Sequence, residues 1–228
     1  MRRFLLLHGT PLSPRVWDGV RAALTAPTIA PDLTEMIETR PRGCLQTEVA
    51  AAVLAALPDD EMVVGGHSFG GQVAIELALL APERLARLVV VCSRHTPCAA
   101  FADGARAVRA SRPVDIDAGL RRWFTPRELA AGGPAVEYVR RQLRTAPRAP
   151  WAASLDAVAT YDRTSSVGRI TAPASVFAGG LDEVATPADM EKLAAALPHA
   201  DLEVVTAWAH MSPFADPAGF AARLMALV

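Results

Sequence analysis

Met62-Val63-Val64-Gly65-Gly66-His67-Ser68-Phe69-Gly70-Gly71 is the stretch of this 228-residue chain from which the rest can be read. Met62 to Val64 makes a short apolar strand that runs straight into a glycine-rich turn. Phe69 to Leu80 follows as an apolar helix, stopped by Ala81-Pro82. A serine at a sharp strand-to-helix turn has its Oγ presented at the edge of a sheet, clear of its own backbone. Gly66 and Gly70 allow neighbouring chain to approach without Cβ clashes. The helix that begins at Phe69 turns its free N–H groups toward developing negative charge. Ser68 is therefore a candidate nucleophile. The alternative, a glycine turn whose serine only caps the helix, is disfavoured by the strand before it and the helix after it.

Working outward, short apolar runs alternate with helical patterns. Arg3 to Leu7 is a strand ending in His8-Gly9, and Ser13-Pro14 predicts a helix start with Ser13 as N-cap. A brief strand near Thr28 to Ala30, a polar loop from Asp32 to Glu38 and a helix from about Thr47 to Leu57 precede the serine turn. Leu85 to Val91 is a continuous apolar run, as expected of a strand covered on both faces of a parallel sheet. Arg94 to about Ser166 contains no good strand, only Arg-rich helical segments broken by prolines. Strands then resume at Ala174 to Ala178 and Leu202 to Val205. Helices are predicted from Thr186-Pro187 to Leu197 and from Pro217 to Val228. Alternating strands and helices imply an α/β fold with a parallel sheet and right-handed crossovers. The expected division is a core in two parts, residues 1–93 and 167–228, with a helical cap inserted at 94–166.

Composition narrows the function classes. Lys+Arg number 23 against 24 Asp+Glu, for a net charge of −1. That balance argues against a nucleic-acid binder, which would carry a strongly basic face. No apolar run approaches the roughly 18 residues of a membrane span, and the apolar start stops at His8, too early for a signal peptide. Three scattered cysteines make no disulfide framework. A cytoplasmic protein is expected, needing neither a cofactor nor a metal ion. Cys92 ends a buried strand and packs as a small hydrophobe, while Cys44 and Cys98 have no adjacent base.

A hydroxyl nucleophile needs a base, and the chain has 5 histidines. His8 and His67 belong to turns, His95 opens the cap and His199 sits in a polar loop. His210, in the loop after the last strand, falls at the carboxyl edge of the sheet beside Ser68. The base needs an acid to fix its tautomer. Asp182 leaves the strand Ala174 to Ala178 through Gly179-Gly180-Leu181 and reaches the same edge. Glu183 is its main rival, and Asp216 fits better as N-cap of the last helix. Two backbone N–H donors, from Phe69 and from Thr10 after His8-Gly9, would form an oxyanion hole, to which Pro11 cannot contribute.

The order Ser68, Asp182, His210 and the strand-turn-helix around Ser68 identify the chain as resembling an α/β-hydrolase fold protein over essentially its whole length. Arg122-Trp123-Phe124-Thr125-Pro126, Arg169-Ile170-Thr171-Ala172-Pro173 and the run Gly180 to Pro187 resemble the β-ketoadipate enol-lactonase branch. His210 to Pro217 is similar to pimeloyl-carrier-protein methyl ester esterases. The resemblance implies a serine esterase or lactonase acting on a small ester or lactone through an acyl-enzyme. C–C bond hydrolysis, lyase or cyclisation chemistry in the same pocket, and a non-catalytic ligand-binding protein, stay open as alternatives.

Two departures stand out. The family's opening antiparallel strand pair is absent, so about six strands, all parallel, are expected. Asp32 to Glu38 replaces the usual D-x-P-G-x-G-x-S loop beside the site. Trp123, Phe124, Trp151 and Met211 are expected in the substrate pocket. Between Phe101 and Pro150 ten arginines face five acids, leaving the rest of the chain at −6. This charge could draw an anionic substrate or an acidic carrier protein, but solvated helix faces are the favoured reading.

Overall fold

The computed structural model describes residues 2–38 and 44–228. Its strands are β1 (Arg3–Leu7), β2 (Thr28–Ile29), β3 (Met62–His67), β4 (Leu85–Val91), β5 (Ala174–Gly179) and β6 (Ala200–Val205). They form one sheet in the order β2-β1-β3-β4-β5-β6, every neighbouring pair parallel. The expected six parallel strands are what the structure contains.

Before the insertion come α1 (Asp18–Ala23), α2 (Leu33–Glu38), α3 (Leu45–Ala56) and α4 (Phe69–Leu80). Between β4 and β5 lie α5 (Ala100–Arg109), α6 (Ile116–Trp123), α7 (Pro126–Ala131), α8 (Pro134–Thr145) and α9 (Arg148–Thr160). The chain closes with α10 (Pro187–Ala196), α11 (Ser212–Ala215) and α12 (Pro217–Met225). Among the described residues no helix is long and apolar enough to cross a membrane.

Alternate side chains of each central strand face opposite ways. Leu5, Leu7, Val64, Leu88 and Val176 pack on one face of the sheet with α3, α4 and α10. Phe4, Leu6, Val63, Val89 and Phe177 pack on the other with α1, α12 and part of the insertion. Burial on both faces is why β1, β3 and β5 read as unbroken apolar runs. α4 is buried nearly all round, so its polar residues must be satisfied internally. Gln72 accepts from Gln46, and Glu76 accepts from Tyr161, Thr47 and Arg163.

Two local expectations change. Asp32 to Glu38, read as a loop, is mostly the short helix α2, with Leu33 and Ile37 on its buried side. A four-residue apolar spacing hidden in a polar run was enough to fold it. Ser13 precedes a turn of 3-10 helix but does not cap it. Its hydroxyl and its N–H instead meet the Tyr138 hydroxyl on α8, at 3.0 and 2.8 Å.

Candidate active site

Parallel strands put all their carboxyl ends on one edge. Leu7 pairs with Gly66, His67 with Val91, Val91 with Phe177, and Gly179 with Val205. The segments that follow β1, β3, β5 and β6 therefore start side by side. They carry Thr10, Ser68, Asp182 and His210 respectively.

Ser68 occupies a conformation that L-residues avoid, with φ 54 and ψ −120. The turn is held on both sides. Ser68 N–H donates to Val91 O at 3.0 Å, and the Ser68 carbonyl accepts from the Ser93 hydroxyl at 2.6 Å. A Cβ at Gly66 would overlap the Gly70 backbone, and one at Gly70 would overlap the carbonyls of Leu7 and His8. The glycines of the serine turn are thus required by close approach.

Asp182 and His210 are each 3% exposed. Asp182 Oδ2 accepts from His210 Nδ1 at 2.8 Å, while Oδ1 accepts from the N–H groups of Val184 and Ala185 at 2.7 and 3.0 Å. Burial alone would raise the Asp182 carboxyl, but His210 and the two amides outweigh it and hold its pKa below the ordinary value. Glu183, the rival acid, points to solvent. Asp216 caps α12, accepting from Gly219 N–H.

The His210 backbone is fixed as well. Its carbonyl accepts from His67 Nε2 at 2.9 Å, and the next residue, Met211, donates its N–H to Trp123 O at 2.8 Å. His67 is pushed down to about 3 by burial and by His210 nearby, so the ring is neutral. Because a carbonyl only accepts, the His67 proton sits on Nε2, and Nδ1 is left buried without a partner among the described residues.

The sign of the resulting pH effect follows from linkage. A folded pKa of about 3 against 6.5 unfolded means that the unfolded chain binds more protons across that window. Stability is expected to fall as pH drops from 6.5 toward 3, by up to about 1.4 kcal/mol per pH unit from this ring. Urea unfolding at several pH values checks it. In His67→Gln, which keeps a donor for His210 O, the dependence should flatten by about that slope, and an unchanged slope refutes the assignment.

Ser68 and His210 line one cavity of about 310 Å³, together with Thr10, Trp123, Trp151 and Val184. Among the described residues no hydrogen bond joins Ser68 Oγ to His210. Thr10 lines the same cavity as Ser68 and Phe69 follows Ser68 directly, and neither the Thr10 nor the Phe69 N–H has a backbone acceptor among the described residues. Trp123 and Trp151 line this cavity, and Phe124 and Met211 do not. Phe124 is 1% exposed and Met211 0%, both packed in the apolar cluster between the sheet and the inserted helices. Phe124 directly follows Trp123 at the end of α6, so the two side chains leave the helix in different directions.

His67, Cys92 and His210 bring one donor atom each within 4.8 Å of one another. Each is already engaged: His67 with the His210 carbonyl, His210 with Asp182, and Cys92 as a thiol pushed up by burial and by the Asp182 carboxylate.

Sequence reasoning missed two site residues. His8 is more than packing: its Nδ1 donates to Gly9 O at 2.9 Å and its Nε2 accepts from Leu33 N–H at 2.9 Å. Ser154 on α9 is 0% exposed and lies 2.6 Å from Thr10 Oγ1. His8 could have been suspected from its place before Gly9. Ser154 carries no local signal.

The parallel sheet thus brings a serine turn and a carboxylate-bound histidine to one edge. Residues 4–223 match the alpha/beta hydrolase family, and the chain belongs to that family. Among curated proteins it is 28% identical to the pimeloyl-[acyl-carrier protein] methyl ester esterase of Citrobacter koseri, over 98% of this chain and 92% of the esterase. It is 30% identical to 3-oxoadipate enol-lactonase 2 of Acinetobacter baylyi, over 77% of this chain and 66% of the lactonase. Its fold is similar to that of a thermophilic esterase from Thermogutta terrifontis, with a TM-score of 0.85 at 23% identity, covering 99% of this chain and 89% of the other.

Proposed function

We propose that this protein hydrolyses a small carboxylic ester or lactone through an acyl-enzyme on Ser68. The chain is an enzyme of the carboxylic-ester hydrolase class. The observation that carries the finer reading is the Asp182–His210 pair, whose histidine lines the same cavity as Ser68. An ionised carboxylate on Nδ1 fixes the imidazole proton there and leaves the Nε2 lone pair free to take the Ser68 proton.

Ser68 Oγ attacks the carbonyl carbon as its proton passes to His210. The N–H groups of Thr10 and Phe69 hold the oxyanion, and His210 returns the proton to the leaving alcohol. Water then repeats the sequence on the acyl-enzyme. Proton transfer requires Oγ within about 3 Å of Nε2, a contact that tightens when substrate is bound.

Residues 94–166 form the cap in this reading, with 1–93 and 167–228 as the core. The cap supplies the apolar wall for the acyl group, including Trp123, Trp151 and Leu155. Several cap arginines are spent on neighbouring carboxylates, Arg106 on Asp103, Arg109 on Asp156 and Arg140 on Asp117. That supports a small-molecule substrate over an acidic carrier protein. Arg112 and Arg122, which reach the cavity itself, are where an anionic end of the substrate would rest. All three cysteines are free, in keeping with a cytoplasmic enzyme.

Fluorophosphonate labelling with peptide mapping tests the proposal, followed by a panel of short-chain esters, methyl esters and lactones. A single adduct on Ser68 and turnover of at least one ester or lactone are expected. Absence of labelling overturns the nucleophile and returns the fold to a binding role. Labelling without turnover of any ester or lactone moves the chemistry to C–C cleavage, lyase or cyclisation reactions.

A further inference from the structure

The N–H of Thr10 can stabilise an oxyanion only if the Gly9–Thr10 peptide plane is held at one angle. Its carbonyl side is anchored within its own loop, where Gly9 O accepts from His8 Nδ1 at 2.9 Å and from Leu12 N–H at 3.0 Å. The other side has no local anchor among the described residues, because Pro11 follows and has no N–H to give. That anchor comes from the cap. Thr10 Oγ1 lies 2.6 Å from Ser154 Oγ, a residue 144 positions away on α9.

The direction of this bond can be worked out. Ser154 Oγ is also 3.0 Å from Pro150 O and 2.9 Å from Trp151 O, and carbonyl oxygens only accept. The single Ser154 hydroxyl proton therefore goes to its own helix, and its lone pairs accept from the Thr10 hydroxyl. A fully buried hydroxyl that accepts in this way is costly to leave unpaired, so the Thr10 side chain is held to one rotamer.

A second strut serves the other half of the chemistry. Trp123 O, at the end of α6, receives the N–H of Met211 beside His210. The base loop is tied to the cap at Trp123, and the oxyanion loop is tied to it at Ser154 and, through Ser13, at Tyr138.

We propose that Ser154 is a positioning residue for the oxyanion amide: by accepting from Thr10 Oγ1 it aims the Thr10 N–H, so the oxyanion site is complete only with the cap seated on the core. This inference rests on the site reading given above. Ser154 touches no reacting atom and acts through Thr10 alone.

The experiment is steady-state kinetics on the best ester of the panel for wild type, Ser154→Ala, Thr10→Val, Thr10→Ser and the Ser154→Ala/Thr10→Val double variant, with Ser68→Ala as control and a thermal melt for each. Removing one oxyanion donor outright costs about 10²- to 10³-fold in kcat, so loss of its aim should cost about 10- to 50-fold. The expected result is that loss in Ser154→Ala and in Thr10→Val, with KM within about threefold, no further loss in the double variant, and a kcat in Thr10→Ser clearly above that of Thr10→Val, because the retained hydroxyl still reaches Ser154. Wild-type kcat in Ser154→Ala overturns the inference, as do losses that multiply in the double variant or appear only in KM or melting temperature. Should Ser154→Ala fail to fold, Thr10→Val against Thr10→Ser decides the matter alone. A fully active Ser68→Ala would instead overturn the site reading, whatever the other variants do.

Discussion

Ester hydrolysis by Ser68→Ala is expected to fall by about 10⁶-fold in kcat, to the level that the two amides and the cavity provide on their own. In this chain the loss should be chemical and not structural. The turn is held by backbone and neighbouring groups, by Ser68 N–H on Val91 O and by the Ser93 hydroxyl on Ser68 O, none of which involves Oγ. The strained φ of 54 is borne by alanine much as by serine, since both carry one Cβ. A melt close to wild type should therefore accompany a nearly dead enzyme. Residual activity above about one per cent of wild type, after contaminating esterase is excluded, would mean that another group or a bound water attacks the carbonyl.

Asp182→Asn carries the second largest effect, about 10⁴-fold in kcat. The hydrogen-bond pattern explains why so small a change would matter. Val184 and Ala185 donate two N–H groups to Oδ1, so in the variant the amide oxygen must stay on that side. The side-chain NH₂ then faces His210 Nδ1 as a donor. The imidazole answers by moving its proton to Nε2, where no lone pair remains for the Ser68 proton. Substrate binding is untouched, so KM should change little. A loss under about 100-fold would show that Asp182 does not set the tautomer, and exposed Glu183 or Asp216 could not replace it without refolding the loop.

How far these positions could be read from sequence depends on how local their cause is. The serine turn was legible because the strand, the glycines and the helix that force it lie within one continuous run. Asp182 and His210 were legible by topology: once the strands are taken as parallel, the residues after β5 and β6 must emerge on the edge that carries Ser68. The pocket was less so. Trp123 and Phe124 are neighbours in sequence, yet one lines the cavity and the other fills the cap core, a choice made by the orientation of α6. Asp32 to Glu38 misled because its acids masked the spacing of Leu33 and Ile37. Ser154 lay beyond reach altogether, since its partner Thr10 is brought to it only by the completed fold.

The placement of the insertion bears on how such a molecule is assembled. β4 and β5 are neighbours in the sheet, yet the whole stretch from Cys92 to Pro173 is threaded between them. Loop-closure entropy grows only as the logarithm of length, about 0.6 kcal/mol for each doubling, so a large detour there is thermodynamically cheap. Its toll falls on kinetics, because two adjoining strands must find each other across a distant stretch of polymer. The same arithmetic makes this junction the natural place for exchanging helical segments between relatives. A transplanted segment would keep the sheet, but it would have to bring its own hydroxyl for Thr10 and its own carbonyl for Met211.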